Sequence, residues 1–350
     1  MDKRQFIKTI ALTSALLPLT NSASANAARK NTSEQRLPVA LNKGDTVALI
    51  CPSSAISDSL EIQVAREVLE AFGFNVKPGK YLSARRGNFA GADIERASDI
   101  NDAFADKNIK AIICLAGGSG AARLLPLLNY KTIRNNPKAL LGFSDITALH
   151  SAINAQTGLI TFHGPNATGS WDSFNTDQFQ RLFFQRELMR YENVRNNDGD
   201  LAQRQNRTAI IRGGKAHGEL IGGNMSVFTA LAGSPYLPDF SGKILFLEDV
   251  GEAPYRIDRM LSTLKLMGAL DKIAGFIFGA CVNCNPGDGY GSLTLEEIFN
   301  DYIKPLNIPA YRGAMIGHIK QQFIVPIGGM VEMDADAVSF RLVDQVFQFA

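Results

Sequence analysis

The sequence predicts an α/β fold built on parallel sheets. Short apolar runs alternate with amphipathic stretches along most of the chain, and strands that alternate with helices usually pair in parallel. A polar stretch near the middle divides the pattern into two halves. We therefore expect an N-terminal domain of the Rossmann or flavodoxin type, a second, smaller α/β domain, and an active site at the interface between them.

The first 27 residues have the pattern of an export signal peptide. Lys3 and Arg4 precede an apolar run over residues 9–20, and small residues follow. The basic pair also resembles a twin-arginine signal, with lysine in place of the first arginine. We expect cleavage after Ala25 or Ala27 and a periplasmic or secreted product. No later apolar run reaches the roughly 18 residues of a membrane span.

Composition excludes several classes of protein. The chain has 350 residues, 45% hydrophobic and 20% charged, with a formal net charge of +2. This is typical of a globular protein with about two domains, and it excludes disordered and fibrous classes. No basic stripe with interleaved aromatic residues is present, so nucleic acid is not an expected partner. We predict domains over 38–165 and 208–350, joined by a polar linker over 166–207.

The first domain is predicted to alternate strands and helices. Strands are expected at residues 46–50, 75–76, 109–115, 140–143 and 159–162, and helices at 60–72, 93–105, 121–128 and 145–155.

The second domain continues the alternation after a linker with one helix near residues 177–185. Strands are expected at residues 208–212, 218–221, 243–247 and 274–278, helices at 224–232, 255–267 and 293–303, and a glycine-rich end follows.

One serine stands at a predicted turn between a strand and a helix. The apolar stretch 140–149 breaks at Gly142, presents Ser144 and resumes with helical spacing. A serine at such a turn projects from the carboxyl edge of the sheet beside the free N–H groups of the next helix, which suits a nucleophile. The pattern departs from G-x-S-x-G because Ile146 replaces the second glycine. Alternatively, Ser144 or Asp145 caps the helix.

A glycine-rich turn follows the strand at 109–115. Gly117, Gly118 and Gly120 allow the backbone to approach a ligand and to direct N–H groups at negative charge, although an ordinary tight turn would need glycines too. Neither nucleotide-binding glycine pattern is present. Because ligands bind beyond the carboxyl ends of parallel strands, this turn and Ser144 can share one cleft.

Candidate partners for the serine lie in the second domain. Glu248 and Asp249 follow directly on an apolar strand, where a carboxylate can orient a histidine, cap the next helix or form a surface pair. His318 lies in a polar loop with several glycines, which is unsuited to burying an imidazole. If a histidine acts as base, we expect His318, since the others lie in or beside predicted helices and strands: His150, His163 and His217.

The four cysteines do not predict a metal site. Cys51 and Cys114 end apolar strands, which is typical of buried free thiols. Cys281 and Cys284 form a single C-x-x-C without a second pair or histidines at zinc spacing. A local disulfide and two plain thiols both remain open for this pair.

Taken together and in order, these motifs resemble the LD-carboxypeptidase family of serine peptidases. The resemblance covers about residues 40 to 330. Its matching pieces are Gly44-Asp45 with Pro52-Ser53-Ser54, Gly117-Gly118-Ser119-Gly120, Gly142-Phe143-Ser144-Asp145-Ile146-Thr147, Gly222-Gly223-Asn224, Leu247-Glu248-Asp249 and Gly317-His318.

The resemblance implies a catalytic triad and a reaction. Ser144 would be the nucleophile, His318 the base and Glu248 the orienting acid, a chain order that matches one known type of triad. The implied substrate is a murein tetrapeptide, from which terminal D-alanine is released without metal or cofactor. The resemblance also suggests a homodimer.

The oxyanion of the reaction would be held by backbone N–H groups. We expect these donors to be Gly117 or Gly118, from the glycine turn, and Asp145, directly after the nucleophile. Two other functions stay open. One is a serine peptidase or amidase that cuts an acyl-adenylate conjugate, and the other is a periplasmic ligand-binding protein without catalysis.

Overall fold

The computed structural model describes residues 35–195, 201–203, 205–285 and 291–348. The predicted signal peptide therefore lies outside the described residues. The described chain forms a mixed α/β structure with two largely parallel sheets, which confirms the predicted fold class. Among the described helices, none is both long and apolar enough to cross a bilayer.

The first sheet has six strands in the order β12-β5-β4-β3-β1-β2, parallel except at β12. Its central strands are buried continuous apolar runs, as expected when helices cover both faces. The strands are β1 (Thr46–Ile50), β2 (Asn75–Pro78), β3 (Ile109–Cys114), β4 (Ala139–Gly142), β5 (Thr161–His163) and β12 (Val325–Ile327). The α-helices between them are α1 (Ser59–Ala71), α2 (Asp93–Ala105), α3 (Tyr130–Asn135) and α4 (Thr147–Thr157), and 3-10 turns cover Ala121–Leu127 and Ser144–Ile146.

The second sheet has eight strands in the order β6-β14-β13-β8-β9-β10-β11-β7. The four strands from β8 to β11 are parallel, and antiparallel strands extend the sheet at both sides. The strands are β6 (Arg190–Tyr191), β7 (Ala209–Arg212), β8 (Lys215–Asn224), β9 (Ile244–Val250), β10 (Gly275–Val282), β11 (Ala310–Arg312), β13 (Met330–Asp334) and β14 (Ser339–Leu342). The α-helices of this half are α6 (Met225–Ala230), α7 (Pro254–Leu266) and α8 (Leu295–Tyr302), with a 3-10 turn at Lys304–Leu306.

The segment predicted as a linker contributes to the folded core. It contains helix α5 (Ser173–Phe179), which continues as a π-helical turn over Gln180–Phe184. Phe179 and Phe183 are fully buried and stack with their ring centroids 4.4 Å apart. Strand β12, far along the chain, returns to pair with β5 of the first sheet. The domain boundaries given above stay predictions.

The two halves meet where parallel strands end. Gly222 and Gly223, at the end of β8, have φ angles of +137° and +142°, and a side chain on Gly223 would lie 2.5 Å from Thr147 Oγ1. This close approach lets the N–H of Asn224 donate to Thr147 Oγ1 at 2.9 Å. The contact joins the carboxyl end of β8 to the first turn of α4, directly after the candidate nucleophile.

Candidate active site

Ser144 lies in a sharp turn between β4 and α4, as predicted. Phe143 is extended, whereas Ser144 has φ +65°, a left-handed conformation that is uncommon for a residue other than glycine. Gly142 packs tightly, since a Cβ there would lie 2.9 Å from Asn166 Oδ1 and 3.0 Å from the Cys114 Cβ. Such strain at a turn is typical of a serine presented for chemistry.

Ser144, His318 and Glu248 form one hydrogen-bonded series. The hydroxyl of Ser144 lies 3.0 Å from His318 Nε2, and His318 Nδ1 lies 2.8 Å from Glu248 Oε2. The series fixes the imidazole tautomer, with Nδ1–H donating to the carboxylate and Nε2 accepting from the serine. The ring of Phe143 packs against the imidazole, with centroids 4.9 Å apart. This arrangement can move a proton from Ser144 to His318.

Glycines make room for the Glu248 carboxylate beside the histidine. A Cβ on Gly317 would overlap Glu248 Oε2, and one on Gly279 would lie 3.1 Å from the Glu248 Cβ. Gly317 also has φ +116°, which disfavours any larger residue. Glu248 is consequently completely buried at the end of β9, with His318 directly over it.

The electrostatics of the pair favour a charged imidazole. Burial alone lowers the pKa of His318, but the hydrogen bond that it donates to Glu248 and the negative charges of Glu248 and Asp249 outweigh burial and raise that pKa above the ordinary value. Burial in turn raises the pKa of Glu248, opposed by the hydrogen bond with His318. An imidazolium that forms during a reaction would therefore be stabilised where it stands.

Two other histidines lie beneath the nucleophile turn and are unsuited to act as bases. His150 is buried in α4, its Nε2 lies 2.8 Å from the Gly142 carbonyl oxygen, and burial lowers its pKa to about 4. His163 is buried in β5, and burial lowers its pKa well below the ordinary value. His217 is exposed on β8. Of the four histidines, His318 is the one in hydrogen-bonding contact with Ser144, and its role as the base stays a prediction.

Neither Ser144 nor Asp145 caps the helix, so the capping alternative is wrong. Ile146 occupies the position before α4, without a side-chain cap. The buried Asp145 carboxylate instead accepts from Ser53 Oγ at 2.6 Å and from the backbone N–H of Ala121 at 2.8 Å. It ties the nucleophile turn to the end of β1 and to the end of the glycine turn. Ser53 belongs to a family motif, but its bond to Asp145 could not be predicted because the two residues are 92 positions apart.

The glycine turn lies against the nucleophile. A Cβ on Gly117 would lie 3.0 Å from the Ser144 Cβ and 3.3 Å from its Oγ, so the backbone of Gly117 borders the serine. Gly118 has φ +118° and faces Ser54, whose Oγ a Cβ there would overlap. The turn is anchored by the Ser54 N–H, which donates to the Gly117 carbonyl oxygen at 3.2 Å.

A buried arginine also supports the glycine turn, and sequence reasoning missed it. The guanidinium of Arg96, on α2, donates to the carbonyl oxygens of Pro52 at 2.6 Å and Gly120 at 3.1 Å. It forms an ion pair with Asp93 at 2.7 Å. Arginine is usually exposed, and the one signal for its burial is its helical spacing from the buried residues Ile100 and Ala103.

The adjacent carboxylates Glu248 and Asp249 have different roles. Asp249 accepts from the N–H and hydroxyl of Ser226, at 2.9 and 2.6 Å, and from Asn224 Nδ2 at 3.1 Å. These bonds hold the first turn of α6 against β9. Asp249 thus has a structural role, and only Glu248 reaches the histidine.

The cysteines form one disulfide and two buried thiols. Cys281 and Cys284 are joined, which resolves the alternative left open by the sequence. Cys51 and Cys114 are free and buried, as predicted, and burial raises the pKa of Cys51 to about 12. In the described part of the chain, no group of three or more His, Cys, Asp or Glu side chains is arranged to hold a metal ion.

Comparisons with known proteins place the chain in a family. The family models for the LD-carboxypeptidase N-terminal and C-terminal domains match residues 47–164 and 217–333. A probable murein peptide carboxypeptidase of Bacillus subtilis is 40% identical over 85% of this chain and 91% of its own length. The murein tetrapeptide carboxypeptidase of Pseudomonas aeruginosa is 34% identical over 81% of this chain and 91% of its own length.

A solved structure agrees with these matches. The structure of MccF in complex with glutamyl sulfamoyl guanosine superimposes with a TM-score of 0.80 at 26% identity, covering 89% of this chain and 99% of MccF. The sequence motifs, the two sheets and the full-length matches lead to the same conclusion. The chain belongs to the LD-carboxypeptidase family.

Proposed function

We propose that this protein is a serine L,D-carboxypeptidase that releases terminal D-alanine from murein tetrapeptides. The observation that carries the proposal is the hydrogen-bonded series Ser144–His318–Glu248. In the mechanism, His318 Nε2 takes the proton as Ser144 Oγ attacks the carbonyl carbon of the scissile bond. His318 then protonates the departing amine, and Glu248 holds the imidazole tautomer and stabilises the imidazolium. In the second half of the reaction, His318 takes a proton from water, which attacks the acyl-enzyme. The ester to Ser144 breaks, the serine regains a proton from His318, and the shortened peptide is released.

The oxyanion of the tetrahedral intermediate would be stabilised by the backbone. Gly117 borders Ser144, and the N–H of Asp145 follows the nucleophile directly, so these two groups, with Gly118 as the alternative to Gly117, are the proposed donors. Each such donor contributes about 2.7–4 kcal/mol to stabilisation of the transition state. The buried Asp145 carboxylate supports this role by fixing the turn that carries its own N–H.

The proposal is tested by incubating the purified protein with a murein tetrapeptide and measuring free D-alanine. We expect release that survives chelators, because the proposed mechanism uses no metal. Inhibition by a chelator that zinc reverses would contradict the serine mechanism. If the folded protein releases no D-alanine, the assignment of a murein tetrapeptide as the substrate is wrong.

Cleavage is predicted to require an L-centre before the scissile bond and a D-residue after it. Ser144 must approach one face of the carbonyl while the oxygen faces Gly117 and Asp145, and inverting either centre moves a side chain into that space. A misplacement of about 1 Å can cost roughly 10²-fold in rate. We therefore expect the all-L tetrapeptide and the pentapeptide ending in D-alanyl-D-alanine to be slower by about that factor, measured as alanine release at equal concentration. Equal rates on the D,D-pentapeptide would indicate a D,D-carboxypeptidase.

We further propose that the protein acts in the periplasm or outside the cell. The basic pair Lys3-Arg4, the apolar run and the small residues before Ala27 support export. N-terminal sequencing of the protein from cells is expected to begin after Ala25 or Ala27. A mature protein that begins at Met1 would contradict export.

A second candidate substrate is an acyl-nucleotide conjugate. The structural similarity to MccF, which was solved with glutamyl sulfamoyl guanosine, supports this alternative. Hydrolysis of such a conjugate would use the same triad, but the pocket would bind a nucleotide group instead of a murein peptide. If this alternative applies, an acyl sulfamoyl nucleoside should bind tightly in calorimetry and the murein tetrapeptide should yield no D-alanine. If the pocket is specific for murein peptides, the tetrapeptide should be cleaved and the nucleoside should bind weakly.

A further inference from the structure

A groove lined by arginines borders the segment that carries His318. It consists of two cavities, of about 240 and 410 Å³, which share Asn206 and Arg207 in their walls. Arg312 lines the first cavity and Arg195 the second. We call this feature the arginine groove and define it by Arg195, Asn206, Arg207 and Arg312.

One end of the arginine groove borders residues that adjoin the proposed catalytic residues. Its first cavity is lined by Gly279, which packs against Glu248, and by Ile319, which follows His318 directly. The groove lies at the carboxyl ends of β10 and β11, the edge of the second sheet at which Glu248 also stands. A ligand that extends from Ser144 along this edge would enter the groove.

The backbone holds Arg207 and Arg312 side by side. Strand β11 pairs with β7 so that Arg312 lies opposite Ala209, two residues after Arg207. Gly313 has φ +90°, and a Cβ there would overlap the carbonyl oxygen of Arg207. The absence of a side chain at Gly313 therefore lets the backbone directly after Arg312 pack against the backbone of Arg207.

Asn193 anchors the groove to the segment before His318. Its Nδ2 donates to the carbonyl oxygens of Asn206 at 2.9 Å and Gly313 at 2.7 Å, and its Oδ1 accepts from the N–H of Met315 at 3.0 Å. One side chain thus connects the wall of the groove to a residue three positions from His318. The wall of the groove and the segment that leads to His318 therefore share the hydrogen bonds of Asn193.

The described lining of the groove carries more positive than negative charge. Among the described residues that line its two cavities, three are arginines and one is an acid, Glu192. Glu192 pairs with Arg190 at 3.3 Å, outside the lining. Arg312 pairs with Glu296 at 3.9 Å, and the Glu296 side chain is 75% exposed. Arginine binds carboxylates through two parallel N–H···O bonds, so the groove suits an anionic group with two oxygens.

We propose that the arginine groove binds a free carboxylate that the peptide substrate carries away from the scissile bond. A murein tetrapeptide carries such a carboxylate on its glutamyl residue, so the groove selects peptides in which this residue is not amidated. The inference rests on the proposed function, because it concerns specificity at the same active site. Arg207 and Arg312 are the specificity-determining residues, with Arg195 at the far end of the groove.

The test uses two tetrapeptides that differ only in the glutamyl carboxyl group, free in one and amidated in the other. D-alanine release is measured for the wild type, Arg207→Gln, Arg312→Gln and the double variant, with the exposed helical Arg66→Gln as a control of equal charge change. We expect the wild type to have a KM at least tenfold lower for the free carboxylate. The double variant should have a KM about tenfold or more higher for that peptide. Its kcat, and its KM for the amidated peptide, should change little.

Salt gives a second readout of the same contact. Because the groove is open to solvent, salt screens its charges. The difference in KM between the free and the amidated peptide should therefore become smaller for the wild type as ionic strength rises. Equal KM values for the two peptides in the wild type would overturn the inference even if a variant failed to fold. Variants that raise KM equally for both peptides would also overturn it.

The proposed function can fail separately from the groove. If neither peptide yields D-alanine, the proposed activity is wrong, and calorimetric binding of both peptides to the wild type and the double variant decides the inference. Tighter binding of the free carboxylate that is lost in the double variant would support the groove. Equal binding, or no binding, would overturn it.

Discussion

Replacing Ser144 or His318 with alanine is expected to lower kcat for D-alanine release by about 10⁶-fold, and combining the two changes is expected to lower it no further. The two side chains act on one proton, since Ser144 Oγ lies 3.0 Å from His318 Nε2. Without the histidine the serine stays a neutral, weak nucleophile, and without the serine the histidine has nothing to activate. Losses at residues that act as a unit are therefore not additive.

The measurement is single-turnover and steady-state release of D-alanine by each variant. Ser241→Ala and His217→Ala serve as controls, because both residues are exposed and contact none of the proposed triad. Their kcat should stay within about twofold of the wild type, in line with the small effects of exposed substitutions. Losses that multiply in the Ser144→Ala/His318→Ala variant would mean that the two residues act independently.

Much of the fold could be predicted because the spacing of apolar residues within each segment indicates a helix or a strand. The helix predicted at residues 93–105 is α2 with the same bounds, and the strand predicted at 46–50 is β1. Buried parallel strands appear as short continuous apolar runs, and amphipathic helices as recurring apolar positions, so each signal is contained within one segment. The turn at Ser144 belongs to this class, since Gly142 and the resumed helical spacing mark it.

Contacts between distant segments could not be predicted in this way. Strand β12 is only three residues long and contains a proline, yet it completes the first sheet beside β5. Asn193 lies in a stretch that reads as polar linker, although it bonds to a residue 120 positions away. The topology of the whole fold determines which distant segments pair. The local sequence of one segment does not indicate its partner.

The candidate site shows the same division. The carboxyl-terminal position of Glu248 on a strand and the loop position of His318 are local features, and both could be found. The choice of Glu248 over Asp249 is not local, because it depends on Gly317 and Gly279 leaving room for one carboxylate beside His318. The sequence supplied that choice only through family resemblance.

Replacing Glu248 with glutamine is expected to lower kcat by about 10⁴-fold and to shift the pH dependence of the remaining activity. The buried carboxylate accepts from His318 Nδ1–H at 2.8 Å and so leaves Nε2 free to take the serine proton. A glutamine amide can donate to Nδ1 instead, which would place the proton on Nε2 and stabilise the wrong tautomer. An exchange of acid for amide at this position in a serine triad has a cost of that order.

The pH dependence has a definite sign. Activity requires neutral His318, so kcat/KM should fall as the pH drops through the pKa of its imidazole in the free enzyme. Glu248 raises that pKa, and the acid limb of the wild type should therefore lie above the ordinary histidine value of 6.5. In Glu248→Gln the hydrogen bond and the charge of Glu248 are lost, while burial, which lowers the pKa of His318, and the charge of Asp249, which raises it, both remain. Burial is the larger of these two influences, so the limb should move to lower pH.

Glu332→Gln is the matched control, because it removes a carboxylate charge on β13 that pairs with Arg341 at 3.4 Å. The Glu332→Gln variant should have the same maximal kcat/KM as the wild type and the same pH for the fall on the acid side. Thermal unfolding of each variant separates a loss of activity from a loss of folding. An unshifted acid limb in a folded Glu248→Gln protein would mean that His318 is not the group that titrates, and the assignment of the base would fail.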